Sequence, residues 1–462
     1  MASILTRRNF LIGLGAAAAG GVIGQGLKTL KMRSGPDSPG EGREKMTLRT
    51  NPLNGDRVSL LGFGCMRFPM LPGAQSPTGP EVDEKTAEKL IDWAYERGVS
   101  YFDTAYPYHQ GKSETVLGRA LRKHPRDSFF LADKMPTFLN PDRTRAEEYF
   151  FVQLKRCQAE YFDYYLLHNI KTKEIYQEIY EKNGVLDFLL EQKKAGRIRN
   201  LGWSFHGDEA ALNYLLNCGV KWDAVQVQLN YHDLLNRYVH SEAFLNQDMT
   251  WQPAQPAWIL EQLNARGFPI IIMEPLLGGR LARLNRKAAA ILQSQRPEMS
   301  LASWAFRYAA GLPNVLTVLS GMTLLEHVKD NLRTYSPCEP LSEPEAAVLK
   351  KALDVFLTQE NIPSTSCGHC MPCPDDVNIP ADYSHYNLCA DEEYLPRGGR
   401  SEEYEKARRA YLTGYDRSVP ELRQASHCTG CGACRPHCPQ GIAIPEQLAR
   451  LGRLAEDLRN EV

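Results

Sequence analysis

Tyr101-Phe102-Asp103-Thr104-Ala105-Tyr106-Pro107-Tyr108 decides how the rest of the chain is read. Residues 101–105 predict a short buried strand of aromatic and small side chains, with one carboxylate, Asp103, near its end. Pro107 removes a backbone donor and ends the strand, which sends Tyr108 out on a loop. Two later stretches finish in the same way. Phe129-Phe130-Leu131-Ala132-Asp133-Lys134 closes on a lysine, and Asp163-Tyr164-Tyr165-Leu166-Leu167-His168 closes on a histidine. In a barrel of parallel strands, one set of strand ends converges on one face, and active sites are built there. Such a barrel brings Asp103, Tyr108, Lys134 and His168 into one cavity.

Working outward, strands and helices alternate. Strands are expected at 58–63, 101–105, 129–134, 163–168, 198–205, 224–230, 269–274 and 315–321. Helices are expected at 83–97, 113–122, 143–159, 185–195, 208–218, 254–266, 300–310 and 324–332. On the first of these, Ala87, Leu90, Ile91 and Ala94 share one side. Eight strand–helix units predict an α/β fold of the (β/α)8, or TIM barrel, type. An open doubly wound sheet fits less well, because no Gly-x-Gly-x-x-Gly opens the first unit. The organisation expected is a signal segment at 1–26, a Gly/Pro/Ser-bearing linker at 27–48, the barrel at 49–340, a connecting helix at 341–362 and a small domain at 363–462.

The chain has 462 residues and a net charge of −1, so no bulk electrostatic attraction to nucleic acid is expected. Its 12 cysteines are unevenly spread. Cys65, Cys157, Cys218 and Cys338 are scattered, whereas the rest fall between Cys367 and Cys438 at short gaps, a pattern of metal sites rather than a disulfide framework. Cys428-x-x-Cys431-x-x-Cys434-x-x-x-Cys438-Pro439 is a bacterial ferredoxin run, whose thiolates wrap a 4Fe-4S cluster. Zinc fits less well, since its sites usually pair two knuckles. A shorter run, Cys367-x-x-Cys370-x-x-Cys373-Pro374, supplies three ligands. In two-cluster ferredoxins the last cysteine of each run serves the other cluster. Cys438 would then join Cys367, Cys370 and Cys373, leaving Cys428, Cys431 and Cys434 in want of a fourth, with Cys389 as the spare. One cluster is expected and a second is left open.

At the N-terminus, Thr6-Arg7-Arg8-Asn9-Phe10-Leu11 precedes an Ala- and Gly-rich apolar run. It resembles a twin-arginine export signal, which carries folded, cofactor-loaded proteins. That implies use of the twin-arginine machinery and a place in the periplasm or on the outer face of the cytoplasmic membrane.

The four barrel-mouth residues have a chemistry of their own. A tyrosine phenol ordinarily titrates near 10, too high for an efficient acid at neutral pH. The Lys134 ammonium would favour the phenolate and lower that value. Asp103 would keep Lys134 charged and pointed, and His168 would hydrogen-bond a substrate oxygen. Together they describe carbonyl reduction, with hydride to carbon and a proton from Tyr108 to oxygen.

Gly62-Phe63-Gly64-Cys65-Met66-Arg67, Asp103-Thr104-Ala105, Ser113-Glu114-x-x-Leu117-Gly118 and Met273-Glu274-Pro275 resemble the aldo-keto reductases, and the chain from about residue 46 resembles the branch fused to a C-terminal ferredoxin-type domain. The resemblance implies a carbonyl or alcohol substrate, an NAD(P)(H) cofactor and catalysis by Asp103, Tyr108, Lys134 and His168. It implies that Ser204 and Gln226 hold the nicotinamide carboxamide, with Phe205 standing where an asparagine is common. It implies that Leu276, Gly278 and Gly279 cover the pyrophosphate and that Gly321, Met322 and Asn331 meet the adenosine end. NADP-preferring relatives usually carry Lys and Arg where this chain has Gly321 and His327, which weakens strict NADP preference. A cluster moves single electrons and a nicotinamide moves hydride, so an electron-transfer partner is a further expectation. The rival reading is a non-catalytic electron carrier that uses the barrel as scaffold.

Overall fold

The computed structural model describes residues 46–74, 76–236, 252–359, 361–392, 394–396 and 401–461. The signal segment at 1–26 and the linker up to residue 45 lie outside them. Eight parallel strands close into a barrel: β3 (Leu61–Gly64), β4 (Tyr101–Asp103), β5 (Phe130–Met135), β6 (Phe162–Ile170), β7 (Ile198–Phe205), β8 (Ala224–Gln228), β9 (Ile270–Met273) and β10 (Val315–Gly321), with β10 paired back to β3. Each strand is followed by a helix whose apolar side is buried, as in Glu84–Glu96, where Ala87, Leu90, Ile91 and Ala94 face inward and Asp83 caps the first turn. The barrel interior is filled by Tyr101, Phe130, Tyr164, Ile271 and Leu316, so the centre is a packed core rather than a pore.

The first predicted strand divides in two. β1 (Leu48–Thr50) and β2 (Arg57–Ser59) form an antiparallel hairpin, and the barrel strand β3 begins only after Leu60. Val58 belongs to the interior cluster, so the hairpin contributes to the filling of the barrel. Two stretches between the expected strands and helices are themselves helical. Residues 171–183 contain Lys173–Tyr176 and a π-helical turn at Gln177–Lys182, and Arg286–Gln295 forms an extra helix capped by Asn285.

That extra helix packs on the expected connecting helix, Glu343–Phe356. Ser342 and Glu345 make a capping box at its start. Glu345 also accepts two 2.9 Å bonds from the buried Arg307 guanidinium, a bidentate geometry that fixes the helix to the barrel. Beyond it, Ile379–Asp391, Glu402–Ser418 and Ile444–Asn460 enclose a second core containing Ile362, Tyr383, Tyr411 and Leu448 together with Cys434 and Cys438.

This C-terminal domain sits over the barrel mouth. Arg67 donates to the carbonyls of Thr365 and Ser366 at 2.7 and 3.2 Å, Lys171 donates to Pro436 O at 2.6 Å, and Gln440 donates to Gln228 at 3.0 Å. Gly278 has φ +67°, and a Cβ there would lie 2.1 Å from the Thr365 carbonyl oxygen. Its lack of a side chain is therefore required by the backbone of the C-terminal domain. We expect Gly278→Ala to cost about 2–5 kcal/mol, the left-handed conformation and the overpacking adding together. Chemical denaturation measures the loss, and limited proteolysis should cut faster between residues 357 and 366.

Candidate active site

Asp103 ends β4, Lys134 lies in β5 and His168 in β6, so three adjacent strands deliver them to one end of the barrel. Lys134 Nζ donates to Asp103 Oδ1 at 2.6 Å and to the Thr104 carbonyl at 2.7 Å, and both charged side chains are buried. Tyr108 stands on the 3-10 turn Tyr108–Gly111. Its neighbour His109 is fully buried and locks that turn. The His109 Nδ1–H donates to Gly79 O at 2.7 Å, and its Nε2 accepts from the Phe68 N–H at 3.2 Å. The Tyr108 ring lies 5.0 Å from Lys134 Nζ and meets the His168 ring edge-on at 6.0 Å. The four expected catalytic residues are thus brought together.

Burial dominates their protonation. It pushes the Tyr108 phenol up to about 12, although Lys134 pulls it down, so the expectation of a net lowering is overturned. Lys134 is held above the ordinary lysine value by Asp103 in spite of burial, and stays an ammonium. Burial, with Lys134 nearby, takes His168 well below the ordinary histidine value, so its ring is neutral. The His168 Nδ1 is buried without a partner.

The linkage sign follows. Below pH ~6.5 an unfolded histidine takes a proton that the folded His168 refuses, so stability present above that pH is lost as pH falls. We expect about 2 kcal/mol of loss from this group at pH 5, and a shallower acid slope in His168→Gln, both read by denaturation at pH 7.5 and 5.

A cavity of about 770 Å³ opens over these residues. Asp103, Tyr108, His168, Ser204 and Gln226 line its deep end. Ser204 and Gln226 are register partners on β7 and β8. Gln226 donates to Asp103 Oδ2 at 3.3 Å, which leaves its buried Oε1 without a partner. An amide N–H entering the cavity would satisfy that acceptor, so the residues present fit a nicotinamide carboxamide. Phe205, by contrast, is buried and offers no polar contact.

Leu276, Gly278, Gly321 and Asn331 also line the cavity. Met322 does not line it: its side chain is fully buried in the main core. The far end carries Thr323, Glu326, His327 and Asp330, with Arg283 opposite in charge to the two carboxylates. Sequence reasoning missed Arg67, His206, Glu274 and His369, which complete the wall. Arg67 and Glu274 stood inside quoted motifs. Nothing in the sequence marked His369, which reaches the cavity only because the C-terminal domain covers the mouth.

The cysteine donor set fits iron–sulfur chemistry. All seven cysteines of the two runs are free thiols, and Cys370, Cys373, Cys428, Cys434 and Cys438 lie within or against one core. Among the described residues no three His, Cys, Asp or Glu are grouped as a single ion requires. Cubane ligands stand at separate corners instead. Cys389 is buried with its Sγ 3.5 Å from His385 Nε2 and lies in neither run.

Comparison with known proteins agrees with this geometry. The profile of the Aldo/keto reductase family matches residues 60–354, and that of a 4Fe-4S dicluster domain matches residues 365–443. Uncharacterized oxidoreductase YqkF of Bacillus subtilis (strain 168) is 22% identical over 327 residues, covering 66% of this chain and 95% of the relative. Probable aldo-keto reductase 1 of Glycine max is 30% identical over 158 residues, 32% of this chain, and the match spans only 42% of that relative. The solved aldo-keto reductase AKR11C1 from Bacillus halodurans (holo form) superposes with a TM-score of 0.51 at 23% identity, covering 66% of this chain and 96% of its own.

Proposed function

Since this chain belongs to the aldo/keto reductase family, we propose that it is an oxidoreductase that interconverts a small carbonyl compound and its alcohol, using NAD(P)(H) in the barrel and 4Fe-4S clusters in the C-terminal domain. The observation that carries this reading is the buried Lys134–Asp103 pair at 2.6 Å beside the Tyr108 ring, on the floor of a cavity with an unpartnered Gln226 acceptor.

A reduced nicotinamide held against Ser204 and Gln226 supplies the hydride. His168, neutral and edge-on to Tyr108, orients the carbonyl oxygen through a ring N–H. Tyr108 keeps its proton in the resting site and gives it up as negative charge develops on that oxygen. Lys134 stabilises the phenolate left behind, and Asp103 keeps Lys134 charged. Cys428, Cys431, Cys434 and Cys438, with Cys367, Cys370 and Cys373, would hold the clusters, which supply single-electron transfer. Glu326 and Asp330 oppose a 2′-phosphate and Arg283 favours one, so cofactor choice is set by their balance. The Arg7-Arg8 pair supports export, which fractionation of an Arg7→Lys/Arg8→Lys variant tests.

The test of the central reading is transfer of deuterium from a C4-labelled reduced nicotinamide to the carbon of an added aldehyde or ketone. Labelled alcohol supports it. Cofactor bound without transfer to any of a broad carbonyl panel would leave the barrel as scaffold only.

A further inference from the structure

The seven cysteines of the two runs are not grouped run by run. A small cavity is lined by Cys367, Cys370 and Cys438 together with Tyr383, and none of the other four cysteines reaches it. Cys373 is not among its lining residues. Asp375, two residues on, accepts from the Thr429 hydroxyl at 2.7 Å and from its N–H at 3.4 Å, which ties the segment after Cys373 to the start of the second run. Arg423 reinforces the seam by donating to Asp376 O at 3.1 Å.

We propose that the domain's two clusters are ligated four and three: Cys373 completes the set Cys428, Cys431 and Cys434, while Cys438 crosses to Cys367 and Cys370 and leaves one iron of that second cluster without a cysteine. Both crossings follow the ferredoxin pattern, in which the last cysteine of each run serves the other cluster; the vacancy arises because the first run has only Cys367 and Cys370 ahead of Cys373. Cys389 is not among the residues that line the small cavity.

The three-cysteine cluster is the one beside the catalytic cavity. Thr365, Cys367, Pro439 and Gln440 line both that cavity and the small one. That cluster would therefore lie next to the space where substrate binds, and the fourth ligand of its open iron would be an oxygen donor: water, a substrate hydroxyl or carboxylate, or the hydroxyl of Ser364, which lines the small cavity. Thiolate-poor iron of this kind is a Lewis acid as well as an electron carrier.

The inference rests on the reading that the domain holds two clusters, and the test separates the two. Anaerobically purified full-length protein should hold about eight irons; about four would overturn the two-cluster reading and the partition with it. With about eight, mild ferricyanide oxidation of the wild-type protein should release one iron per chain and give the electron paramagnetic resonance signal of a three-iron cluster. Cys373→Ser and Cys431→Ser should abolish one and the same reduced-cluster signal, and Cys438→Ser and Cys370→Ser the other. Pairing of Cys373→Ser with Cys370→Ser overturns the partition. Retention of every iron in the wild type, turning to loss of one in His369→Ala, overturns the open position by making His369 its ligand. The wild-type oxidation needs no variant to fold, so the open iron is tested even if a substituted chain does not.

Discussion

Tyr108→Phe is expected to lower the turnover number for carbonyl reduction by about 100- to 10,000-fold, the usual contribution of a positioned acid, while the dissociation constant of the nicotinamide cofactor changes less than about threefold. The asymmetry follows from position. The phenol lies over Lys134, and the candidate carboxamide contacts are Ser204 and Gln226 on other strands. Deleting one oxygen removes the proton donor and leaves the shape of the cavity. A second consequence concerns pH. Burial pushes Tyr108 up to about 12, so the acid remains protonated throughout the neutral and mildly alkaline range. The reductive turnover of the wild type should therefore stay level from pH 7 to about pH 10, two units below that value, instead of falling on the alkaline side. Steady-state kinetics with cofactor titration by fluorescence measures both. Unchanged turnover in Tyr108→Phe would remove the tyrosine from the mechanism.

Lys134→Met should be the most damaging single change to the fold of the barrel. It leaves Asp103, which is 3% exposed, as a buried carboxylate without its partner, and it removes the donor to Thr104 O. Breaking a buried pair from one side costs about 3–5 kcal/mol, far more than the pair itself contributes. The double variant Asp103→Asn/Lys134→Met should regain most of that stability, because neither side then carries an uncompensated charge. It should regain none of the activity. A double-mutant cycle by urea denaturation isolates the coupling. Additive losses would mean that the two side chains do not depend on each other in the folded protein.

The barrel was legible because its strands announce themselves as buried runs at regular spacing, and because Asp103, Lys134 and His168 fall at strand ends. The short motifs were informative for mixed reasons. In Ser113-Glu114-x-x-Leu117-Gly118, Ser113 donates to Cys65 O at 2.9 Å, Glu114 pairs with Arg156 at 2.8 Å, and a Cβ on Gly118 would lie 2.6 Å from Arg156 O. That motif positions a helix and touches no cofactor. Gly278 lines the cavity and also makes room for Thr365 of the C-terminal domain, a second demand on the glycine that the sequence did not show. The protonation of Tyr108 was misjudged since Lys134 is visible in the sequence and burial is not. His109 was passed over because a histidine after a catalytic tyrosine looks incidental until both ring nitrogens are seen engaged. For the cysteines, the sequence reading crossed Cys438 to the other run and kept Cys373 in its own, because the segment after Cys373 is seen to fold back onto Thr429 only in the structure.

The seat formed by Arg67, Lys171, Gln228 and Gly278 has a consequence for how such chains can be recombined. Four separate positions at the barrel mouth are cut to fit one particular partner. Swapping in a barrel from a single-domain relative would bring side chains where backbone must pass, and a fusion made only at the connecting helix would dangle. A working transplant needs at least the glycine and the arginine carried across together, which makes the two halves one inheritable unit.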